Sequence, residues 1–171
     1  MQVLQIAGYQ NSGKTTLVEI LVKELTSRGF RVGTLKHHGH GGKPVIPPRT
    51  DSTRHAEAGS LVAGVEGDGI LLLTANYNKD WSLKELIRLY TFFPVDILLL
   101  EGYKQYPFPK FICLRDEKDA KLLQLPGVQA AFSFNKNLAS CYYIPDQDSY
   151  LDRIIADVKG GAYVFHCPGT N

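Results

Sequence analysis

Gly8-Tyr9-Gln10-Asn11-Ser12-Gly13-Lys14-Thr15-Thr16 decides how this chain of 171 residues is read. The stretch fits G-x-x-x-x-G-K-[ST], the phosphate-cradling loop of nucleoside-triphosphate-binding proteins. Gly8 and Gly13 open backbone conformations closed to other residues and let main-chain N–H groups approach phosphate oxygens. The positive end of the following helix dipole points into the same pocket. Gly8, Asn11, Ser12, Gly13, Lys14, Thr15 and Thr16 are therefore the candidate nucleotide-binding residues. Lys14 is placed to reach the β- and γ-phosphates, and the Thr15 hydroxyl to ligate Mg²⁺. The competing reading is a glycine turn that caps a helix and leaves Lys14 in solvent.

The flanks decide between the two. Met1 to Ala7 reads as a buried strand, and Leu17, Val18, Leu21, Val22 and Leu25 lie on one helical face. Strand, glycine loop and helix is the arrangement that the phosphate mechanism needs. Further out, the helix ends near Arg28-Gly29 and Arg31–Lys36 reads as a second strand. His37 to Thr50 is rich in Gly, Pro and His and predicts no regular structure. Asp51 to Ala58 predicts a short helix. Leu61–Val65 and Ile70–Thr74 predict two strands joined by Glu66-Gly67-Asp68-Gly69, a hairpin signal.

Ser82 with Glu85 forms a capping box that opens another helix, with Leu83, Leu86, Ile87 and Tyr90 as its apolar stripe. Val95 to Gly102 is the most apolar run and suits a central parallel strand. Lys110–Arg115 and Val128–Phe132 predict further strands, and Leu151, Ile154, Ile155 and Val158 a last helix. No internal repeat and no linker between two cores is visible. The expected fold is α/β, a P-loop NTPase-like three-layer fold with a mostly parallel central sheet and an inserted β-hairpin. It occupies residues 1–161 as a single nucleotide-binding domain, and residues 162–171 form a C-terminal tail.

A net charge of +2 gives no strong bias towards nucleic acid or anionic membrane. No apolar run approaches the ~18 residues of a membrane span, and no signal peptide is apparent. The three cysteines are far apart with no C-x-x-C pair, which predicts free thiols and a reducing cytoplasm.

A carboxylate is needed near the phosphates to place Mg²⁺. Asp96 and Glu101 bracket one strand, ~16 Å apart at the usual rise per residue. Ligands collect at the carboxyl ends of parallel strands, so Glu101 is the candidate for metal or water and Asp96 caps the strand start. The plainer reading of Glu101 is a strand-terminal ion pair with Lys104. Asp51 is the rival carboxylate: a switch-type metal contact, a helix N-cap, or both. Arg54 either pairs with a phosphate oxygen or is a solvated helix arginine. Lys14, Glu101 and Asp51 are thus the catalytic candidates, and Thr15, Glu101 and Asp51 the metal candidates.

His37, His38 and His40 beside glycines have three readings: a phosphate- or substrate-facing switch loop, a metal site, or a solvated polar loop. Adjacent strand histidines point to opposite faces, which disfavours a shared metal. Asn135-Lys136-Asn137 approximates the N-K-x-D guanine motif, but Leu138 stands where the carboxylate belongs, so base choice does not follow.

Taken together, Gly8–Thr16, Leu35-Lys36-His37-His38-Gly39-His40, Asp51-Ser52-Thr53-Arg54-His55 with Ala58-Gly59, and Leu100-Glu101-Gly102-Tyr103-Lys104 resemble the MobB family over roughly residues 1 to 158. These are molybdopterin-guanine dinucleotide biosynthesis adapter proteins. The resemblance implies a cytoplasmic, homodimeric, GTP-binding protein with weak Mg²⁺-dependent GTPase activity. It further implies molybdopterin and a MobA-type guanylyltransferase as partners, with neither nucleic acid nor membrane. By matching position, the loop binds phosphates and Asp51 or Glu101 lies near Mg²⁺. Lys43-Pro44-Val45-Ile46-Pro47-Pro48 is a Pro-rich insertion that the resemblance does not require. The alternative is a small-molecule kinase on the same scaffold, using ATP or GTP.

Overall fold

The apolar run before the glycine loop forms strand β1 (Gln2–Gly8), fully buried from Val3 to Ala7. Its neighbours are β5 (Ile97–Glu101) and β6 (Lys110–Leu114), one on each side and both buried throughout. Beyond β5 lies β2 (Val32–Lys36); beyond β6 lie β7 (Val128–Ser133) and the two-residue β8 (Tyr142–Tyr143). The order is β2-β5-β1-β6-β7-β8 and every pairing is parallel. The computed structural model describes residues 1–38, 50–77 and 80–164.

Continuous apolar strands are what a sheet covered on both faces requires. Leu4, Ile6, Leu99, Phe111, Cys113 and Phe132 pack with Leu17, Leu21 and Leu25 of α1 (Lys14–Ser27) and with Ile154, Ile155 and Val158 of α4 (Leu151–Lys159). On the opposite face Ala7, Ile112, Leu114 and Ala131 pack with Leu122 of a 3-10 segment, Glu117–Gln124. The alternation along β6 (Phe111 and Cys113 one way, Ile112 and Leu114 the other) is the period of two that a strand imposes. Leu21 is wholly buried, and its truncation to Ala should cost about 2–5 kcal/mol. α1 ends at Arg28, and Gly29 takes the left-handed conformation (φ 87°) that favours glycine there.

Tyr163 is buried, its carbonyl accepts from the Val3 N–H at 2.9 Å, and Val164 bridges antiparallel to Gln2. Tyr163 thus packs into the core, and Val164 forms an isolated bridge at the start of β1. Residues 165–171, with Cys167, lie outside the described residues.

Two compact units form: the sheet unit, described over 1–38 and 90–164, and a second unit, described over 50–77 and 80–89. In the second, α2 (Asp51–Glu57) lies against the antiparallel hairpin of β3 (Val62–Gly67) and β4 (Ile70–Ala75). Asp68 and Gly69 have positive φ (51° and 76°), as a two-residue hairpin turn demands. Asp51 is not the N-cap. Thr50 takes that place, its Oγ1 accepting from the Thr53 N–H while the Thr53 hydroxyl accepts from the Thr50 N–H at 2.7 Å. The Thr-Thr box satisfies two amides at once, whereas with Asp51 as cap the third residue on would be Arg54, which has no acceptor to return the bond. α3 (Leu83–Tyr90) opens on the expected box, with the Ser82 N–H donating to Glu85 at 2.9 Å and the Glu85 N–H to Ser82 at 3.2 Å. No helix among the described residues is long and apolar enough to cross a membrane.

Candidate nucleotide-binding site

Because all six strands run the same way, their carboxyl ends share one edge. The register sets Ile6 of β1 and Lys36 of β2 on either side of Glu101 in β5. Glu101 thus stands level with the start of the glycine loop. Asp96 lies at the other end of the strand, where its carboxylate takes the Arg31 guanidinium at 2.5 and 3.0 Å and the Arg31 N–H at 2.8 Å. Those hydrogen bonds lower its pKa to about 2.

Asn11 (φ 57°) and Gly13 (φ 90°) both turn through the left-handed region. A Cβ on Gly13 would come within 2.6 Å of the Phe134 ring, and one on Gly8 within 2.5 Å of the Ser12 hydroxyl. Neither position accommodates a side chain. Ser12 is buried, and its hydroxyl has no hydrogen-bond partner among the described residues. Gly13 supplies no side-chain cap to α1, and no acidic residue lies in the first turn. The helix therefore presents uncompensated N–H groups and a positive end to the loop, which suits an oxyanion.

Lys14 donates from Nζ to the Tyr9 carbonyl at 2.5 Å. Partial burial lowers its pKa; Glu101 opposes the shift, and Lys36 and Arg115 add to it. Burial pushes the neighbouring Cys113 thiol up to about 12, so at neutral pH it carries no charge to balance Lys14. Glu101 is the charge that does.

The Thr15 hydroxyl donates to Glu101 Oε1 at 2.9 Å. Lys36 Nζ reaches both, at 3.1 Å from Thr15 Oγ1 and 3.0 Å from Glu101 Oε1. The ion pair of Glu101 is therefore with Lys36, not Lys104, because β2 lies beside β5 and brings its last residue into register. Sequence reading placed Lys36 at the end of the second strand and within the family resemblance, and gave it no chemical role. Glu101 itself is held by its backbone: its carbonyl accepts from the His37 N–H at 2.9 Å, and the next N–H, of Gly102, bonds Ile6 at 2.9 Å. Gln5, buried and also missed from sequence, donates to the Gly102 carbonyl at 2.6 Å. Mg²⁺ prefers oxygen donors, keeps several waters and takes one or two protein ligands alongside phosphates. A neutral hydroxyl beside one carboxylate fits that demand.

The sheet unit thus brings Lys14, Thr15 and Glu101 together. Asp51 and Arg54 lie in the second unit, where they pair with each other at 3.4 Å as exposed side chains. His37 is exposed and packs its ring on Tyr103 at 4.7 Å between centroids; His38 is exposed. His40 and the Pro-rich stretch from Lys43 to Pro48 lie outside the described residues. Among the described residues no three or more His, Cys, Asp or Glu side chains cluster as a metal site. After β7, Asn135 Oδ1 accepts from the Asn137 N–H at 3.1 Å, and the Phe134 ring lies against Gly13. Leu138, in the place of the guanine-reading carboxylate, is partly buried against the cluster of Ala7 and Ile112. It serves the core.

Residues 3–133 match the profile of a family described as molybdopterin guanine dinucleotide synthesis protein B. A probable molybdopterin-guanine dinucleotide biosynthesis adapter protein of Bacillus subtilis (strain 168) is 43% identical over 164 residues, covering 92% of this chain and 94% of that protein. The molybdopterin-guanine dinucleotide biosynthesis adapter protein of Haemophilus influenzae is 35% identical over 157 residues, covering 92% and 82%. The crystal structure of Bacillus subtilis MobB has a TM-score of 0.78 at 35% identity, over 94% of this chain and 99% of that one.

Proposed function

Because this chain belongs to the molybdopterin guanine dinucleotide synthesis protein B family, we propose that it is a GTP-binding adapter of molybdenum cofactor biosynthesis. It would assist a MobA-type guanylyltransferase in attaching GMP to molybdopterin, yielding molybdopterin guanine dinucleotide, with slow Mg²⁺-dependent GTP hydrolysis of its own. One observation supports the nucleotide part above the others: the Thr15–Glu101–Lys36 triangle stands beside an uncapped helix start. Lys14 exchanges the Tyr9 carbonyl for phosphate oxygens, where its partly desolvated ammonium counts for more than in water. The Thr15 hydroxyl and the Glu101 carboxylate are the oxygens that would hold Mg²⁺, whose chemistry is to neutralise charge on the β- and γ-phosphates. Lys36 balances the buried Glu101 charge. Arg115 is tied to Asp119 and Gln5 to the Gly102 carbonyl, so neither orients an attacking water, and slow turnover follows.

A homodimer completes the reading. The hairpin leaves Ile70 65% and Leu73 61% exposed, on opposite faces of one strand, with Val62 and Val65 exposed on the partner strand. A two-stranded hairpin is marginal alone, and free strand edges with apolar faces on both sides suit pairing with a second copy.

The test is Mg²⁺-dependent binding and turnover of GTP against ATP, with Lys14→Ala as control. Guanine preference, slow phosphate release and binding weakened about 100-fold in the variant are expected. Adenine preference, or transfer of phosphate to a small molecule rather than to water, would replace this reading with that of a kinase.

A further inference from the structure

Tyr9, the second residue of the glycine loop, carries a collar of cations. Lys104 Nζ lies 4.9 Å, the Arg115 guanidinium carbon 5.1 Å and Lys121 Nζ 5.6 Å from the centre of its ring. They come from three segments: the turn after β5, the residue after β6, and the 3-10 segment. Among the described residues, one of the three is neutralised by a carboxylate. Arg115 makes a two-pronged pair with the buried Asp119, at 2.8 and 2.7 Å, which fixes its plane. Lys104 and Lys121 are in no salt bridge among the described residues. A ring face is a weak partner for an ammonium beside what an oxyanion offers. Two ammonium groups held at 4.9 and 5.6 Å from the centre of one ring repel each other, and an anion between them would relieve that repulsion.

Lys104 is held where it is by a buried device. Gly102 (φ 96°) and Tyr103 (φ 52°) bend the chain immediately after Glu101. Lys110, fully buried, then donates from Nζ to the Lys104 carbonyl at 3.1 Å and to the Tyr106 carbonyl at 2.6 Å. Burying an ammonium without a carboxylate is costly, and here that ammonium fastens the loop that delivers Lys104. The Tyr9 carbonyl meanwhile accepts Lys14. One residue thus backs both the phosphate lysine of the loop and the collar.

We propose that the Tyr9 collar binds a phosphate monoester other than the nucleotide, with Lys104 and Lys121 gripping its dianionic phosphate beside the glycine loop. A phosphate monoester has its second pKa near 6 and carries close to two charges at pH 7, which matches the two free ammonium groups. Lysines act as point charges, so the collar selects charge and leaves recognition of the ester's organic part to its surroundings. That the phosphate is a second one rests on the nucleotide reading of the loop. The same chemistry has another source, the terminal phosphate of the nucleotide itself, and the experiment separates them.

The probe is inorganic phosphate, its binding to the full chain followed by ³¹P line broadening with and without excess Mg²⁺-GDP. The comparison set is wild type, Lys14→Ala, Lys104→Gln with Lys121→Gln, and Lys121→Glu. Saturable phosphate binding is expected to survive both GDP and Lys14→Ala. It should weaken about tenfold or more in the double Gln variant and vanish in Lys121→Glu, while GDP affinity stays at the wild-type level in both. Phosphate binding that GDP or Lys14→Ala abolishes would assign the anion to the glycine loop and overturn the proposal. Equal loss of GDP and phosphate in the collar variants would make the collar part of the nucleotide site, and overturn it as well. If GDP fails to bind even wild type, the nucleotide reading fails, and the phosphate titrations alone decide the collar.

Discussion

The carboxyl edge of the six-stranded sheet and the β3–β4 hairpin carry opposite burdens. At the edge a carboxylate is buried, and the same unit of the chain answers it: Thr15 and Lys36 sit within hydrogen-bond distance of Glu101. In the hairpin hydrocarbon is exposed: Ile70, Leu71, Leu72 and Leu73 stand open in succession. Both arrangements are unfavourable in isolation. The first is offset within the chain and needs only a small ligand to complete it. The second is the kind of surface that another protein chain completes.

The largest expected effect comes from breaking the hairpin side. Leu71→Asp with Leu73→Asp puts two charges on one apolar face of β4. Burying unpaired carboxylates is costly enough that the dissociation constant of the proposed dimer should rise about 100-fold or more, read by sedimentation velocity. GTP affinity per protomer should stay within about twofold if the sheet edge is complete in one chain. A parallel loss of GTP binding would dissolve the contrast, since the nucleotide site would then need the second copy.

Glu101→Gln tests the other side. It removes the charge that balances Lys36 and leaves only a neutral amide oxygen towards the proposed metal. Mg²⁺-dependent hydrolysis should fall about 10- to 100-fold, with the sedimentation profile unchanged. Lys36→Met should act more gently and in an instructive direction. Without the ammonium competing for Glu101 Oε1, the Mg²⁺ midpoint should shift a few-fold lower while turnover falls. An unmoved midpoint would remove Glu101 from the metal's ligands.

Both regions announce themselves in the sequence through backbone demands. Positive φ at Gly13 and at Asp68-Gly69 calls for residues that tolerate it, so the glycine loop and the hairpin turn were legible. Glu101 was separable from Asp96 because strand direction fixes which end faces the loop. Lys36 was not legible, since its role arises only when β5 inserts between β2 and β1. β8, two residues long, is too short to show a period. Tyr163 anchors the chain end through one ring and one carbonyl, which leaves no repeating pattern to read. Thr50 displaced Asp51 as helix cap because Thr53 returns its hydrogen bond, a reciprocity that single-residue preferences do not express.

The smallest expected effect lies at the amino edge of the sheet, and it asks whether polar closure in this unit is a matter of charge. Asp96 is held at about 2 by hydrogen bonds from Arg31, against an ordinary value of 3.8. A depressed carboxylate contributes stability that is fully present above its unfolded pKa and is lost as pH falls through its folded one. Asp96→Asn should therefore lower stability slightly at pH 7, and the gap to wild type should close between about pH 4 and pH 2 in urea titrations. The pair is exposed to solvent and screened, so the effect is modest. Affinity of the proposed dimer, which would rest on uncharged hairpin side chains, should show no matching change in that variant. A stability gap of equal size at pH 7 and pH 2 would locate the contribution in the shape of the strand start rather than in its charge.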